Sequence, residues 1–328
     1  MGKVLVTGGT GFIGPRFVSR LVRGGAHVRC LTRRPRRLPE GVEAVRGDLQ
    51  DAASLRSALE GVEVVYHLAG ATLVRHPLSY RATNARGTRH LAQACAAMAK
   101  PPVIVYLSSL AAGGPATPGL PRSEEDPPAP MSRYGRSKLA GEQALHAVSA
   151  RVPVSAVRAP TVFGPGDPNL IKLFQAARSG IVVGPRQLGS QLSWIYVDDL
   201  VEALIRAAER GERLRPTGSQ GIYYAALAET MSLTDAAQLA ASLQGRGRVR
   251  VVTVPESLAL FGGHVIDLWN AITGKLRLVT RDKVREGLAG TWTCRVDRAR
   301  DALGFRCEVG LEEGFRRSIA WYRERGWL

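Results

Sequence analysis

What the sequence lacks narrows its class at once. No stretch approaches the roughly 18 uncharged apolar residues that a membrane-spanning helix needs, because the longest candidate, Ser257 to Trp269, is broken by His264 and Asp267. That segment reads as a packed amphipathic helix or, at most, as a surface patch meeting an apolar substrate or a membrane face. The apolar run at Val4 to Val6 ends at once in glycines instead of a cleavage region, so no secretory leader is expected and a cytoplasmic location is. The four cysteines, Cys30, Cys95, Cys294 and Cys307, show no CxxC or metal spacing, which implies reduced structural thiols and no metal. Acidic residues are scarce, 28 against 45 Lys and Arg, giving a net charge of +17. The excess is spread along the chain. Its two clusters, Arg33 to Arg37 and Arg246 to Arg250, are not interleaved with aromatics, so no nucleic-acid partner is expected, whereas a phosphate-bearing ligand would be welcome.

What is present is an ordinary globular balance, 45% hydrophobic and 22% charged over 328 residues, enough for a large core. Short β-branched runs alternate with helical patterns, beginning Lys3 to Thr7, Phe12 to Arg23 and His27 to Thr32. Further strands are expected at Glu43 to Arg46, Val62 to Leu68, Val103 to Ser108 and Val154 to Arg158, with helices at Ala52 to Leu59, Tyr80 to Ala99 and Ser132 to Val148. This rhythm predicts an α/β fold built on a doubly wound parallel sheet of seven strands, a Rossmann arrangement. The Pro- and Gly-rich segment from Ala112 to Pro130 follows a strand's carboxyl end and reads as a substrate-covering loop. After about Ala159 the pattern turns irregular. We therefore expect residues 1–160 to form the Rossmann domain, its core continuing into parts of 190–230, and residues 161–328 to be mainly a smaller substrate-binding region.

Three motifs carry chemistry. Gly8, Gly11 and Gly14 form a GxxGxxG pattern between a strand and an apolar helix, where a tight turn brings backbone amides and a helix N-terminus to a pyrophosphate. Thr10, Phe12 and Ile13 share that turn. The second strand ends Thr32-Arg33-Arg34, without the acidic residue that binds the ribose hydroxyls of NAD(H). Arg33 can instead pair with a 2′-phosphate, which favours NADP(H) over NAD(H). Asp48 and Leu49 follow the third strand, suited to the adenine, and Leu68, Ala69 and Gly70 make a small-residue segment against which the cofactor can lie. Tyr134 and Lys138 stand four residues apart on one face of a predicted helix, so the cation can favour the phenolate and also reach the nicotinamide ribose. Ser109 closes the fifth strand, placed to polarise a carbonyl.

Together these pieces resemble the extended short-chain dehydrogenase/reductases, the NAD(P)-dependent epimerase/dehydratase group that includes dihydroflavonol reductases and 3β-hydroxysteroid dehydrogenases. The resemblance runs through TGGTGFIG at Thr7, GDL at Gly47, HLAG at His67, NARGT at Asn84, VYLSS at Val105, YGRSK at Tyr134, RAPTVFGPG at Arg158, YVDDL at Tyr196 and LEEGFRRSIAWY at Leu311. It implies a Ser109-Tyr134-Lys138 catalytic set, prefers Ser109 to Ser108 because 25 residues separate it from Tyr134, gives Asn84 a steadying role, and lays Pro160 and Val162 beside the nicotinamide. Homodimers through the helices flanking the sheet are frequent in similar proteins. Nucleotide-sugar epimerases of this group carry Asn where Thr161 stands and Arg where Leu192 stands, and its dehydratases carry Asp-Glu where Leu110-Ala111 stand. An apolar pocket is thus expected, with Trp194 and the Phe261 to Trp269 helix as walls. The expected activity is hydride transfer between NADP(H) and a carbonyl or secondary alcohol of a hydrophobic small molecule. Rivals are a nucleotide-sugar epimerase with tightly held NAD(P), and a non-catalytic NADP(H)-binding protein.

Overall fold

A computed structural model describes residues 2–34, 38–72, 78–273 and 281–328, so part of the basic run at 33–37 lies outside the described residues. The chain opens with β1 (Lys3–Thr7), α1 (Gly14–Arg23), β2 (His27–Thr32), β3 (Val42–Arg46), α2 (Ala52–Ala58), β4 (Val64–His67) and a short α3 (Leu78–Tyr80). A π-helical stretch, Arg81–Gly87, leads into α4 (Thr88–Ala96), followed by β5 (Val103–Ser109), α5 (Leu110–Gly113), α6 (Arg133–His146) and β6 (Val154–Ala159). Then come β7 (Thr161–Phe163), α7 (Leu170–Ser179), β8 (Ile181–Pro185), β9 (Gln191–Tyr196), α8 (Val197–Glu209) and β10 (Ile222–Tyr224). The remainder is β11 (Thr230–Ser232), α9 (Leu233–Ser242), β12 (Arg250–Val254), α10 (Glu256–Thr273), α11 (Arg281–Leu288), α12 (Asp297–Leu303) and α13 (Leu311–Glu324).

Seven parallel strands form one sheet in the order β10-β6-β5-β4-β1-β2-β3. Central strands are buried on both faces, and every residue of β6 is inaccessible, which is why they are near-continuous apolar runs without alternation. Helices cover both faces; α1 turns Phe17, Val18 and Leu21 onto one core, while Leu55 of α2 and Leu91 of α4 face the other. The strand order reverses between β1 and β4, and the crevice at their carboxyl ends is where such sheets hold dinucleotides.

Two expectations need correction. The single helix read from Tyr80 to Ala99 is interrupted by the π-helical turns at Arg81–Gly87, a widening frequent at functional sites. Trp194 is not a pocket wall. It is 1% exposed, meets Phe163 and Phe315 edge to face at centroid distances of 5.9 and 6.0 Å, and donates its indole N–H to Met231 O at 2.8 Å. It sits in an aromatic core under the small β11-β9-β7 sheet, where apolar burial outweighs any use of the ring as a recognition surface.

Candidate active site

The glycine turn is pressed against the end of β4. Gly8 holds φ near 78°, and a Cβ there would lie 2.6 Å from Ala69 N. A Cβ on Gly14 would overlap the Gly9 carbonyl carbon at 2.4 Å, so both positions demand glycine. Gly11 differs, since its Cβ would meet only Gly8 O, at 3.5 Å. The turn is open there. The N-terminus of α1, capped by Ile13, has no side-chain acceptor for its amides, leaving those donors suited to a cofactor's phosphates. Behind the turn, Thr7 Oγ1 lies 2.6 Å from His67 Nδ1 and accepts from Ala69 N at 3.2 Å, while His67 Nε2 lies 2.9 Å from Thr88 Oγ1. Burial pulls the His67 ring down to about 3; it is a neutral strut.

After β3, Asp48 Oδ1 accepts from Gln50 N at 2.9 Å and Leu49 is buried. Arg33 and Arg34 are exposed beside the carboxyl end of β2, while the buried Thr32 hydroxyl donates to Arg34 O at 2.6 Å.

Ser109, Asn84, Tyr134 and Lys138 stand on β5, the π turn and α6. Asn84 accepts from Ala71 N at 2.8 Å, donates to Ala71 O at 3.0 Å, and donates to Ser137 Oγ at 2.9 Å. It thereby ties the segment after β4 to the catalytic helix. Ser108 and Ser109 are separated by environment. Ser108 is buried and donates to Glu142 at 2.5 Å, inside a network in which Glu142 also takes both arms of Arg158 at 2.9 and 2.7 Å. Ser109 is half-buried, accepts from Ala111 N at 3.2 Å, and lies close enough to the Tyr134 phenol to favour its ionised form. Burial pushes that phenol up, Lys283 and Ser109 pull it down, and Glu286 works with burial.

Lys138 is buried, donates to Leu107 O at 2.6 Å, and lies 4.1 Å from the Tyr106 ring centroid. Burial draws its ammonium down to about 7 against the opposing pull of Glu142. A Cβ on Gly70 would stand 3.6 Å from both Lys138 Nζ and Asn84 Oδ1, so the HLAG segment, Asn84 and Lys138 converge. Pro160 links β6 to β7, where Val162 pairs with Ile195. Among the described residues, no group of three or more His, Cys, Asp or Glu side chains could hold a metal ion.

Spacing gave no hint of α11. Asp282 accepts from the amides of Arg133 at 2.9 Å and Tyr134 at 3.3 Å, and Ser132, the cap of α6, donates to Glu286. These partners lie 148 to 154 residues apart, beyond any local pattern. A groove of about 950 Å³ runs from Gly11 and Phe12 along α1 and α8 to Trp321. It includes neither Ser109, Tyr134 nor Lys138, and two of its arginines pair with its own acids, Arg16 with Asp198 and Arg20 with Glu202.

With this geometry in view, the comparisons decide the family. Residues 4–221 match the model of the NAD dependent epimerase/dehydratase family. The chain belongs to that family. It is an enzyme, an NAD(P)-dependent oxidoreductase of the extended short-chain dehydrogenase/reductase type. A ceramide reductase of Caulobacter vibrioides is 31% identical, covering 100% of this chain and 96% of the relative. A dTDP-6-deoxy-L-talose 4-dehydrogenase (NAD(P)(+)) of Kitasatospora kifunensis is 30% identical over 96% of this chain and 93% of its own. Among solved structures, MoeE5 in complex with UDP-glucuronic acid and NAD superposes with a TM-score of 0.75 at 29% identity, covering 99% of this chain and 100% of that one. No described helix is long and apolar enough to cross a membrane.

Proposed function

We propose that this enzyme transfers a hydride between NADP(H) and a carbonyl or secondary alcohol of a hydrophobic small molecule, a lipid ketone above all. The observation that carries the reading is half-buried Ser109 at the carboxyl end of β5, its hydroxyl beside the Tyr134 phenol, while neighbouring Ser108 is engaged in the fold. The nicotinamide cofactor, when bound, supplies or accepts the hydride. In reduction, Ser109 donates a hydrogen bond to the carbonyl oxygen, Tyr134 delivers the proton to that oxygen, and Lys138 steadies the phenolate left behind and holds the ribose. Asn84, Gly70 and Ala71 keep that arrangement fixed.

Exposed Arg33 beside buried Thr32 supports NADP(H), since a guanidinium there can grip a 2′-phosphate and no acid repels it. Three features support a hydrophobic substrate. The ceramide reductase is similar over the whole chain. Leu192, where nucleotide-sugar enzymes carry Arg, pairs with Met231 and bridges to Trp292, leaving that diphosphate contact unfilled. Helix α10, packed beside α11, exposes Leu258, Phe261, Val265 and Trp269, an unusual concentration of apolar surface.

The test is NADPH and NADH titration followed by cofactor oxidation with ketones of long-chain acyl amides, steroid ketones and nucleoside diphosphate sugars. Tighter NADPH binding and lipid-ketone-dependent oxidation are expected. Tyr134→Phe should lower turnover about 10²- to 10⁴-fold with an unchanged cofactor Kd; retained turnover would overturn the assignment. Sugar conversion without net cofactor change would favour an epimerase, and binding with no consumption a non-catalytic role.

A further inference from the structure

The carboxy-terminal region reaches the catalytic helix through α11, and it does so at three points on one turn. Asp282 accepts hydrogen bonds from the amides of Arg133 and Tyr134, so a carboxylate sits at the positive end of α6. Glu286 takes the hydroxyl of Ser132, whose oxygen in turn accepts from Gly135 N at 2.8 Å. Between these acids, Lys283 is anchored to Glu286 at 2.6 Å and places its ammonium 4.9 Å from the Tyr134 ring centroid. Lys138, the cation already assigned to the site, donates to Leu107 O and lies against a different ring, that of Tyr106.

We propose that Lys283 is a second cation for Tyr134, a positioning residue that α11 delivers to the proton donor and that favours the phenolate produced when the substrate oxygen takes the proton. This rests on the reading of Tyr134 as the proton donor. A cation over an aromatic face is attracted to the ring before any charge develops, and more strongly once the phenol is ionised. The other polar or titratable groups facing Tyr134 are Ser109 and Tyr106 of β5, Tyr80 of α3, and Asp282 and Glu286 of α11. Glu286 opposes ionisation of the phenol, yet its contact with Lys283 keeps the ammonium in place. Placement on a separate helix gives this cation a property Lys138 lacks, because anything that shifts α11 shifts the acidity of Tyr134.

The experiment is nuclear magnetic resonance of full-length protein carrying tyrosine labelled with ¹³C at Cζ, loaded with NADP⁺, with the Tyr134 resonance assigned by its loss in Tyr134→Phe. In Lys283→Met the titration of that resonance should move to higher pH by about one unit or more, and Lys283→Arg should restore it. The pH dependence of alcohol oxidation, where the phenolate is the base, should show its rising limb displaced by the same amount, with NADP⁺ affinity unchanged. A Tyr134 titration equal in Lys283→Met and wild type would overturn the proposal, whatever happens to thermal stability. Failure of the underlying reading is recognised separately: Tyr134→Phe would then keep full turnover while Lys283 still moved the resonance.

Discussion

On the sheet side of the cleft, polar side chains are buried and bonded to one another. His67 stands between Thr7 and Thr88, Asn84 ties Ala71 to Ser137, and Glu142 joins Ser108 to Arg158. On the cover side, the two-stranded β8–β12 sheet and α10 turn Ile181, Val183, Val251, Val252, Leu258 and Phe261 toward solvent. The first region ties buried polar groups to one another through directional hydrogen bonds, the kind of restraint that proton and hydride chemistry needs. The second leaves apolar surface uncovered, as the proposed recognition of an apolar molecule requires. If the proposed function holds, catalytic geometry and substrate choice rest on different kinds of contact, and each can be disturbed without the other.

The strongest way to break the contrast is at Arg158. Its guanidinium is fully buried, bidentate on Glu142, and bonded to Tyr224 at 3.1 Å. Arg158→Met leaves the Glu142 carboxylate buried beside Ser108 with no counter-charge, and should cost about 3–5 kcal/mol of unfolding free energy. Adding Glu142→Gln should recover much of that loss. Denaturant titration of the three proteins reads it directly, and additive losses would mean that the pair does not act as a unit.

His67 gives a smaller effect with a definite sign. Its ring is held neutral down to about pH 3 in the fold, whereas the unfolded chain protonates it near the usual 6.5. The stability this neutral ring contributes is complete above pH 6.5 and is lost as pH falls toward 3, about 2 kcal/mol of it by pH 5. Melting curves from pH 7 to 5 should fall more steeply for the wild type than for His67→Gln. Equal slopes would show that the imidazole does not carry that limb.

The same contrast governs what was legible in the sequence. The glycine trio, Asp48, Ser109, Tyr134 and Lys138 lie on elements whose apolar runs and short spacings mark them locally, and the structure gathers them at one sheet edge. Spacing within the resemblance already preferred Ser109 to Ser108, and the structure adds that Ser108 is buried on Glu142. Trp194 misled because a sequence shows that an aromatic is present but not which side it faces. The interruption of the helix at Arg81–Gly87 was hidden, since Asn84 reads like any polar helical residue until its bonds to Ala71 are seen. Asp282, Lys283 and Glu286 were invisible for a different reason: they reach α6 across about half the chain, and long-range pairing leaves no periodic trace.

Arg33 tests whether cofactor choice belongs to the rigid region. It is exposed at the end of β2, so Arg33→Ala should leave melting unchanged while NADPH affinity falls about tenfold, the loss of one charge-assisted hydrogen bond. NADH affinity should stay as it was. A parallel fall for both cofactors would place Arg33 on the shared part of the dinucleotide, and no fall would assign it to the general basic surface.

The smallest expected effect on stability is the most informative about the cover. Leu258 and Phe261 are 55% and 64% exposed, so changing both to Ser removes little burial and should shift unfolding by no more than about 0.5 kcal/mol. If this face admits a lipid, KM for a long-chain ketone should rise severalfold while a short, soluble ketone is reduced as before. Turnover at saturation should hold, because Ser109, Tyr134 and Lys138 are positioned by the sheet. A large fall in melting temperature would instead mean that the face is covered in the native assembly, as in a homodimer, and a concentration-dependent midpoint would then separate self-association from substrate capture.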